Sequence, residues 1–403
     1  MLHKFFKSQR WNWSIALIPT VFVMSGGIIT LTYWQHLPAP LPGAYLQPRI
    51  APKPASSPQL STQSGRLDQA GNAQSTSIPP TLQQPIQPVG DRNYPPLTLS
   101  YNVTSLPPFQ PSPSLQRVLD QVVTKISAKG LPIKSLSISL IDLKHRSCCE
   151  YAAYQDQQPR FPASVSKLFW LVAYYAQMEA GILTKHPLPD QELYKMAHKS
   201  DNESASRVID LTSGAASGSE MNEEALGIWA AKRKWFNRYF EAAGYHSVNV
   251  SQKNFPIPFL QLQRPTGREL QMRGDANAPI RNAITTYDTA RLLYEITTEK
   301  AVSASASRKM KELLRQDLAS GDWRHEEYNS IEGFLGESLP PETEFVSKVG
   351  WTGTSRQEAA LITSSDGNAK YILVIFGDDK GYGDDWKIFP SISRVVFDEM
   401  RLR

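Results

Sequence analysis

An α+β fold is predicted, with an antiparallel five-stranded sheet built from both ends of one domain, flanked by helices and interrupted by an inserted helical subdomain. Three observations predict it. Short, β-branched, alternating segments occur in two groups, SLSISLIDL with CEYAAY early and ETEFVSKVGW, QEAALITS and KYILVIFGD late. Between the groups lies a long stretch of helical periodicity. Strand groups separated by helices read as one sheet assembled from two chain segments, because each strand must bury its apolar face against a neighbour and a covering layer.

The chain of 403 residues has ample material for a core. Residues 11–35 carry no charged side chain, have Trp11, Trp13, Tyr33 and Trp34 at their edges and follow Lys4, Lys7 and Arg10. Such a run is long enough to cross a bilayer as a single-pass helix. The preceding cations place residues 1–10 in the cytoplasm and everything after the span on the periplasmic or extracytoplasmic side. A cleavable signal peptide is the rival reading, but no clear small-x-small site follows, which favours an uncleaved anchor. Those three cations supply most of the formal net charge of +5, so the basic balance is a topology signal and no nucleic acid is implied.

Residues 36–113 are rich in Pro, Gln and Ser and hold more than half of the chain's 30 prolines. That composition cannot bury enough apolar surface to fold and predicts a disordered, extended linker. The folded domain is expected over residues 114–403. It opens with a helix in LQRVLDQVVTKI, where Leu115, Val118, Leu119, Val122 and Ile126 share one face. Two strands follow, paired through the KHRS turn, then the helix FPASVSKLFWLVAYYAQMEAG. Further helices are expected at residues 229–244, 285–297 and 307–318, then the three late strands and a last helix, SISRVVFDEMRL.

The helix after Phe161 is apolar almost all the way round, the pattern of a helix at the centre of a domain. Ser164 and Lys167 at its start are therefore dragged out of water, and a buried ammonium must be paired or surrender its proton. A spacing of three puts the lysine amine on the serine's face. A desolvated lysine has a lowered pKa and can act as base on a serine, while the helix N-terminus favours nearby negative charge. S-x-x-K alone is weak; an N-cap serine with a snorkelling lysine explains it equally. Two further motifs follow in order: SDN, Ser200 to Asn202, at a helix-to-loop boundary, and KVG, Lys348 to Gly350, on a strand.

This ordered set resembles the penicillin-recognising serine hydrolases, class A β-lactamases in particular, whose signature is S-x-x-K, S-D-N and K-T-G. The resemblance spans residues 115–403 and implies their three-layer fold, shared with the D,D-peptidases, without a cofactor. It implies Ser164 as acylated nucleophile, Lys167 as its base, and Ser200 as proton donor to the leaving nitrogen. Asn202 would bind Lys167 and the substrate amide, with Asp201 holding its loop. Lys348, Val349 and Gly350 would form the substrate strand. Arg356, just past that strand, reads equally as a supplement to Lys348 in carboxylate binding or as an ordinary surface arginine. The backbone N–H groups of Ser164 and Trp351 would make the oxyanion hole. The implied substrate is a β-lactam or a D-Ala-D-Ala-like small molecule, and peptidoglycan is the implied partner.

Three departures are visible. Val349 replaces the usual threonine. Only 35 residues separate Ser164 from Ser200, which shortens the helical lip over the cleft. The deacylating glutamate of class A enzymes sits in E-x-x-L-N, where this chain offers RELQMRG, with Glu269, Met272 and Arg273 at the matching places; Glu269 is taken as the base and Asp275 as its substitute. These departures keep two alternatives to a β-lactamase open: a D,D-peptidase acting on stem peptides, and a catalytically weak cell-wall-binding module. The neighbours Cys148 and Cys149 have no CxxC or His partner spacing, and adjacent backbones disfavour a bond between them. GDDKGYGDDW lacks the ligand pattern of a calcium loop and reads as a turn, and the seven histidines show no metal-ligand spacing.

Overall fold

The computed structural model describes residues 106–107, 109–144, 148–183, 187–326 and 329–403. The elements in chain order are β1 (Gln110–Pro111), α1 (Pro113–Ala128), β2 (Leu136–Asp142), β3 (Glu150–Tyr154), α2 (Ser166–Glu179), α3 (Asp190–Ala197), α4 (Asn202–Ser213), α5 (Glu223–Arg233) and α6 (Trp235–Ala242). After them come α7 (Gly267–Gln271), α8 (Thr286–Thr297), α9 (Ala304–Leu314), β4 (Arg315–Gln316), β5 (Glu344–Thr352), β6 (Ser355–Thr363), β7 (Lys370–Gly377), α10 (Lys380–Asp384) and α11 (Ile388–Leu402). The predicted apolar span at residues 11–35 and nearly all of the linker lie outside the described residues. Among the described residues no helix is long and apolar enough to cross a membrane.

The sheet corrects the prediction. It has seven strands in the order β1-β3-β2-β7-β6-β5-β4, and it is mixed, because β1 runs parallel to β3. The five expected strands form its antiparallel centre. The two additions are two-residue edges, too short to carry an alternating pattern. The expected helix at 229–244 is two helices, α5 and α6, meeting at Lys234. The expected turn at 377–386 contains the short helix α10.

Strand alternation sorts the core into two layers. On β7, Ile372, Val374 and Phe376 join one cluster with α2, α6, α8 and α9, while Tyr371, Leu373 and Ile375 join a second with α1 and α11. Helix α2 belongs to the first layer and every residue from Ser166 to Gln177 is buried. Its position inside a packed layer, with the Trp170 indole donating to the Val250 carbonyl at 2.7 Å, holds the turn that precedes it, Ala163–Val165, against β5.

Candidate active site

Ser164 lies in a 3-10 turn, Ala163–Val165, that runs directly into α2. The preceding Ala163 has φ 45°, in the left-handed region that an alanine enters only under strain. Ser200 is strained in the same way, at φ 59°. Strain of roughly 1–3 kcal/mol at each persists only where surrounding structure fixes it, and these two residues flank the same lysine.

Lys167 is buried, and its Nζ lies 2.8 Å from Ser164 Oγ, 2.5 Å from the Ser200 carbonyl oxygen and 2.7 Å from Asn202 Oδ1. Two of those three partners can only accept. A neutral amine has two N–H groups, which these acceptors occupy, and its lone pair is then left facing the Ser164 hydroxyl. Burial pushes the Lys167 pKa well below its ordinary value, the Lys348 charge pushes it further, and Asp201 pulls it back. Geometry and electrostatics thus agree on an amine ready to take a proton. Asp201 caps α4, its carboxylate accepting from the Ser204 N–H at 2.6 Å, which fixes Asn202 as the first residue of that helix.

Lys348, on β5, donates from Nζ to Ser200 Oγ at 2.8 Å and to the Val349 carbonyl at 2.9 Å. Burial brings its pKa down to about 7, with Glu358 opposing. Ser200 therefore bridges the two lysines, through its carbonyl to Lys167 and its hydroxyl to Lys348. Gly350 has a separate task. A Cβ there would lie 2.6 Å from the Pro162 carbonyl oxygen and 2.8 Å from the Ser164 nitrogen, so only glycine lets β5 pass this close to the serine turn. Trp351 follows at the cavity wall, its indole N–H donating to the Gly383 carbonyl at 2.9 Å.

Three expected site residues stand elsewhere. Arg356 is fully buried, donates to the carbonyls of Gly333, Tyr382 and Gly383, and lies between the rings of Phe334 and Trp386. It ties together the loops behind β6 and does not line the cavity at Ser164. Val349 packs in the second apolar cluster, on the face of β5 opposite Lys348. Glu269 is buried in α7, where Arg233 reaches its two oxygens at 2.9 and 3.3 Å and Ser217 Oγ donates at 2.7 Å. Asp210 and Lys253, paired at 2.6 Å, extend this charge cluster. Glu269 does not line the cavity at Ser164. We expect Glu269→Gln to destabilise the protein, by at most roughly 3–5 kcal/mol, since it leaves the buried Arg233 only Asp210, 3.7 Å away and shared with Lys253, with no slowing of acyl-enzyme release. Chemical denaturation with a parallel deacylation assay checks this; a stable variant with slower release would restore Glu269 as base.

Beside Ser164 opens a cavity of about 310 Å³. Its lining includes Phe161, Asn254, Phe255, Arg264, Arg273 and Arg281, of which the sequence motifs touched only Arg273, as a mismatch in RELQMRG. Asn254 ties this wall to the serine turn by donating to the Ala163 carbonyl at 3.2 Å and to Ser166 Oγ at 3.3 Å. These residues come from loops without periodicity, so nothing local in the sequence singles them out.

Residues 119–400 match the model of the beta-lactamase enzyme family. No curated protein matches the chain. Among solved structures, a class A beta-lactamase from Bacteroides cellulosilyticus is 16% identical, with TM-score 0.50 over 72% of this chain and 99% of that one. A variant of the TLA-1 extended-spectrum beta-lactamase is 12% identical, with TM-score 0.50 over 70% and 98%. A PBP-A variant solved as an acyl-enzyme complex with penicillin G is 17% identical, with TM-score 0.49 over 73% and 98%. At such identities the likeness is one of fold.

Proposed function

The chain belongs to the beta-lactamase enzyme family, and from that premise we propose that it opens β-lactam rings and D-Ala-D-Ala-like amides through an acyl-enzyme at Ser164. The observation that carries this reading is the Lys167 amine, 2.8 Å from Ser164 Oγ and held by two acceptors. In the acylation step the Ser164 proton passes to Lys167 Nζ as the Oγ–carbon bond forms. The carbonyl oxygen takes up negative charge between the Ser164 and Trp351 N–H groups. The carbon–nitrogen bond then breaks, and the leaving nitrogen receives a proton from the Ser200 hydroxyl, which regains one from Lys348 Nζ, its donor at 2.8 Å, while Lys167 keeps the proton taken from Ser164. Lys348, while protonated, attracts the substrate carboxylate.

Release of the acyl group is the weaker half. Among the described residues lining the cavity there is no carboxylate to hold a water against the ester. That favours a penicillin-binding, D,D-peptidase-like enzyme over an efficient β-lactamase. After a brief penicillin pulse, intact-protein mass spectrometry should show one adduct that persists through many minutes, alongside slow hydrolysis of a chromogenic cephalosporin. Fast multiple turnover with no trapped adduct would contradict the slow-release reading.

The proposal includes a location. The uncharged run at residues 11–35 behind three cations supports a single-pass anchor with the catalytic domain outside the cytoplasmic membrane. Protease added to intact spheroplasts should then release the domain; complete protection would refute the topology.

A further inference from the structure

The cavity beside Ser164 is lined by Lys253, Arg264, Arg273 and Arg281 and by no acidic side chain. The Lys253 charge is matched by Asp210 at 2.6 Å. Among the described residues the three arginines make no ion pair within 4 Å. Two of them are nonetheless held in place: Arg273 lies 5.8 Å from the ring centroid of Phe255 and Arg281 lies 5.7 Å from that of Phe161, and both rings line the cavity. Arg273 Nε is buried with no hydrogen-bond partner, and Glu269, which acts on Arg273 electrostatically, has its oxygens bonded to Arg233 and Ser217. Arg281 and Arg273 repel each other, so each lowers its energy when an anion enters between them.

The position of this wall decides which part of a substrate it meets. Lys348 and Ser200 are not part of the cavity lining, whereas Ser164, Asn202 and Trp351 are. Asn202, the residue expected to bind the amide on the acyl side of the substrate, lines the cavity together with the arginines, and Lys348 does not, so the arginines are assigned to the acyl side. We propose that Arg264, Arg273 and Arg281 form a second anion subsite, selecting acyl donors that carry a carboxylate on the acyl side of the scissile bond in addition to the one that Lys348 attracts. This rests on the acyl-enzyme reading of Ser164 and adds to it the charge of the preferred substrate.

The probes are benzylpenicillin and carbenicillin, which differ by one carboxylate on the acyl side chain. Acylation rates of the full-length protein, followed by intact mass, should favour carbenicillin by roughly tenfold, since a charged hydrogen-bonded contact partly open to water is worth about that factor. The preference should shrink as salt is raised. It should fall toward parity in Arg273→Gln/Arg281→Gln and invert in Arg281→Glu, while Arg117→Gln, an exposed arginine on α1, leaves it as in the native protein. Equal rates for the two penicillins in the native protein, or a preference that the double variant retains, overturn the subsite while leaving acylation at Ser164 standing. No adduct with either penicillin overturns both. Matched D-Ala-D-Ala peptides, with a free or amidated carboxylate on the preceding residue, identify the source: preference in both pairs assigns the subsite to a cell-wall stem peptide, and preference confined to the penicillins assigns it to the antibiotic.

Discussion

Lys167→Met will slow penicillin acylation of Ser164 by about 10³-fold, the middle of the range for losing a positioned general base. The substitution keeps the length of the side chain and removes the one nitrogen that touches Ser164 Oγ, the Ser200 carbonyl and Asn202 Oδ1 together. Its pH profile carries the more specific information. Burial holds the Lys167 pKa well below its usual value, which favours the neutral amine that a base requires. Lys348 works in the opposite sense, because it must carry its proton to attract an anion and its pKa is about 7. Specific acylation by a carboxylate-bearing substrate should therefore fall as pH rises through about 7, and an esterified analogue should lack that fall. Stopped-flow acylation across pH, on native protein and variant, tests both statements. A variant within tenfold of native would remove Lys167 from the role of base.

Gly350→Ala is expected to lower acylation by about 10²–10³-fold, comparable to losing one oxyanion-hole donor. The added Cβ would meet the Pro162 carbonyl at 2.6 Å and the Ser164 nitrogen at 2.8 Å, both backbone atoms that cannot swing aside as a side-chain tip can. Either β5 or the serine turn must move, and the two N–H groups that flank the reacting oxygen lose their spacing. Lys348, the proposed anion-binding residue, is two residues away, so the loss should fall mainly on the acylation step rather than on affinity. Rates resolved into binding and chemistry, together with a melting curve, separate this from general unfolding. Native-like acylation in Gly350→Ala would show that the close approach is unimportant.

The parts legible in the sequence were those whose physics is local. The all-round apolarity of α2 announced a buried helix, and a spacing of three put Ser164 and Lys167 on one face. The five central strands carried their own alternation, and SDN and KVG their order. Edges β1 and β4 were not legible, because two residues have no period and their pairing depends on distant partners. The surroundings of Arg356 were not legible for a similar reason. From sequence it is a cation just past the substrate strand, whereas its carbonyl partners and aromatic neighbours lie up to 30 residues away in the chain. Glu269 was chosen by loop spacing, yet Arg233, 36 residues upstream, decides its surroundings. The cavity arginines come from separate positions between residues 264 and 281 and converge only in the fold.

The central claim is that Ser164 is the atom-bearing residue of the chemistry, and intact-protein mass spectrometry after a penicillin pulse tests it most directly, with Ser166 as internal control. Ser166 is two residues away but fully buried, with its hydroxyl donating to the Ala163 carbonyl at 2.8 Å. The adduct should vanish in Ser164→Ala and persist in Ser166→Ala. An adduct that survives Ser164→Ala and disappears in Ser166→Ala would contradict the account.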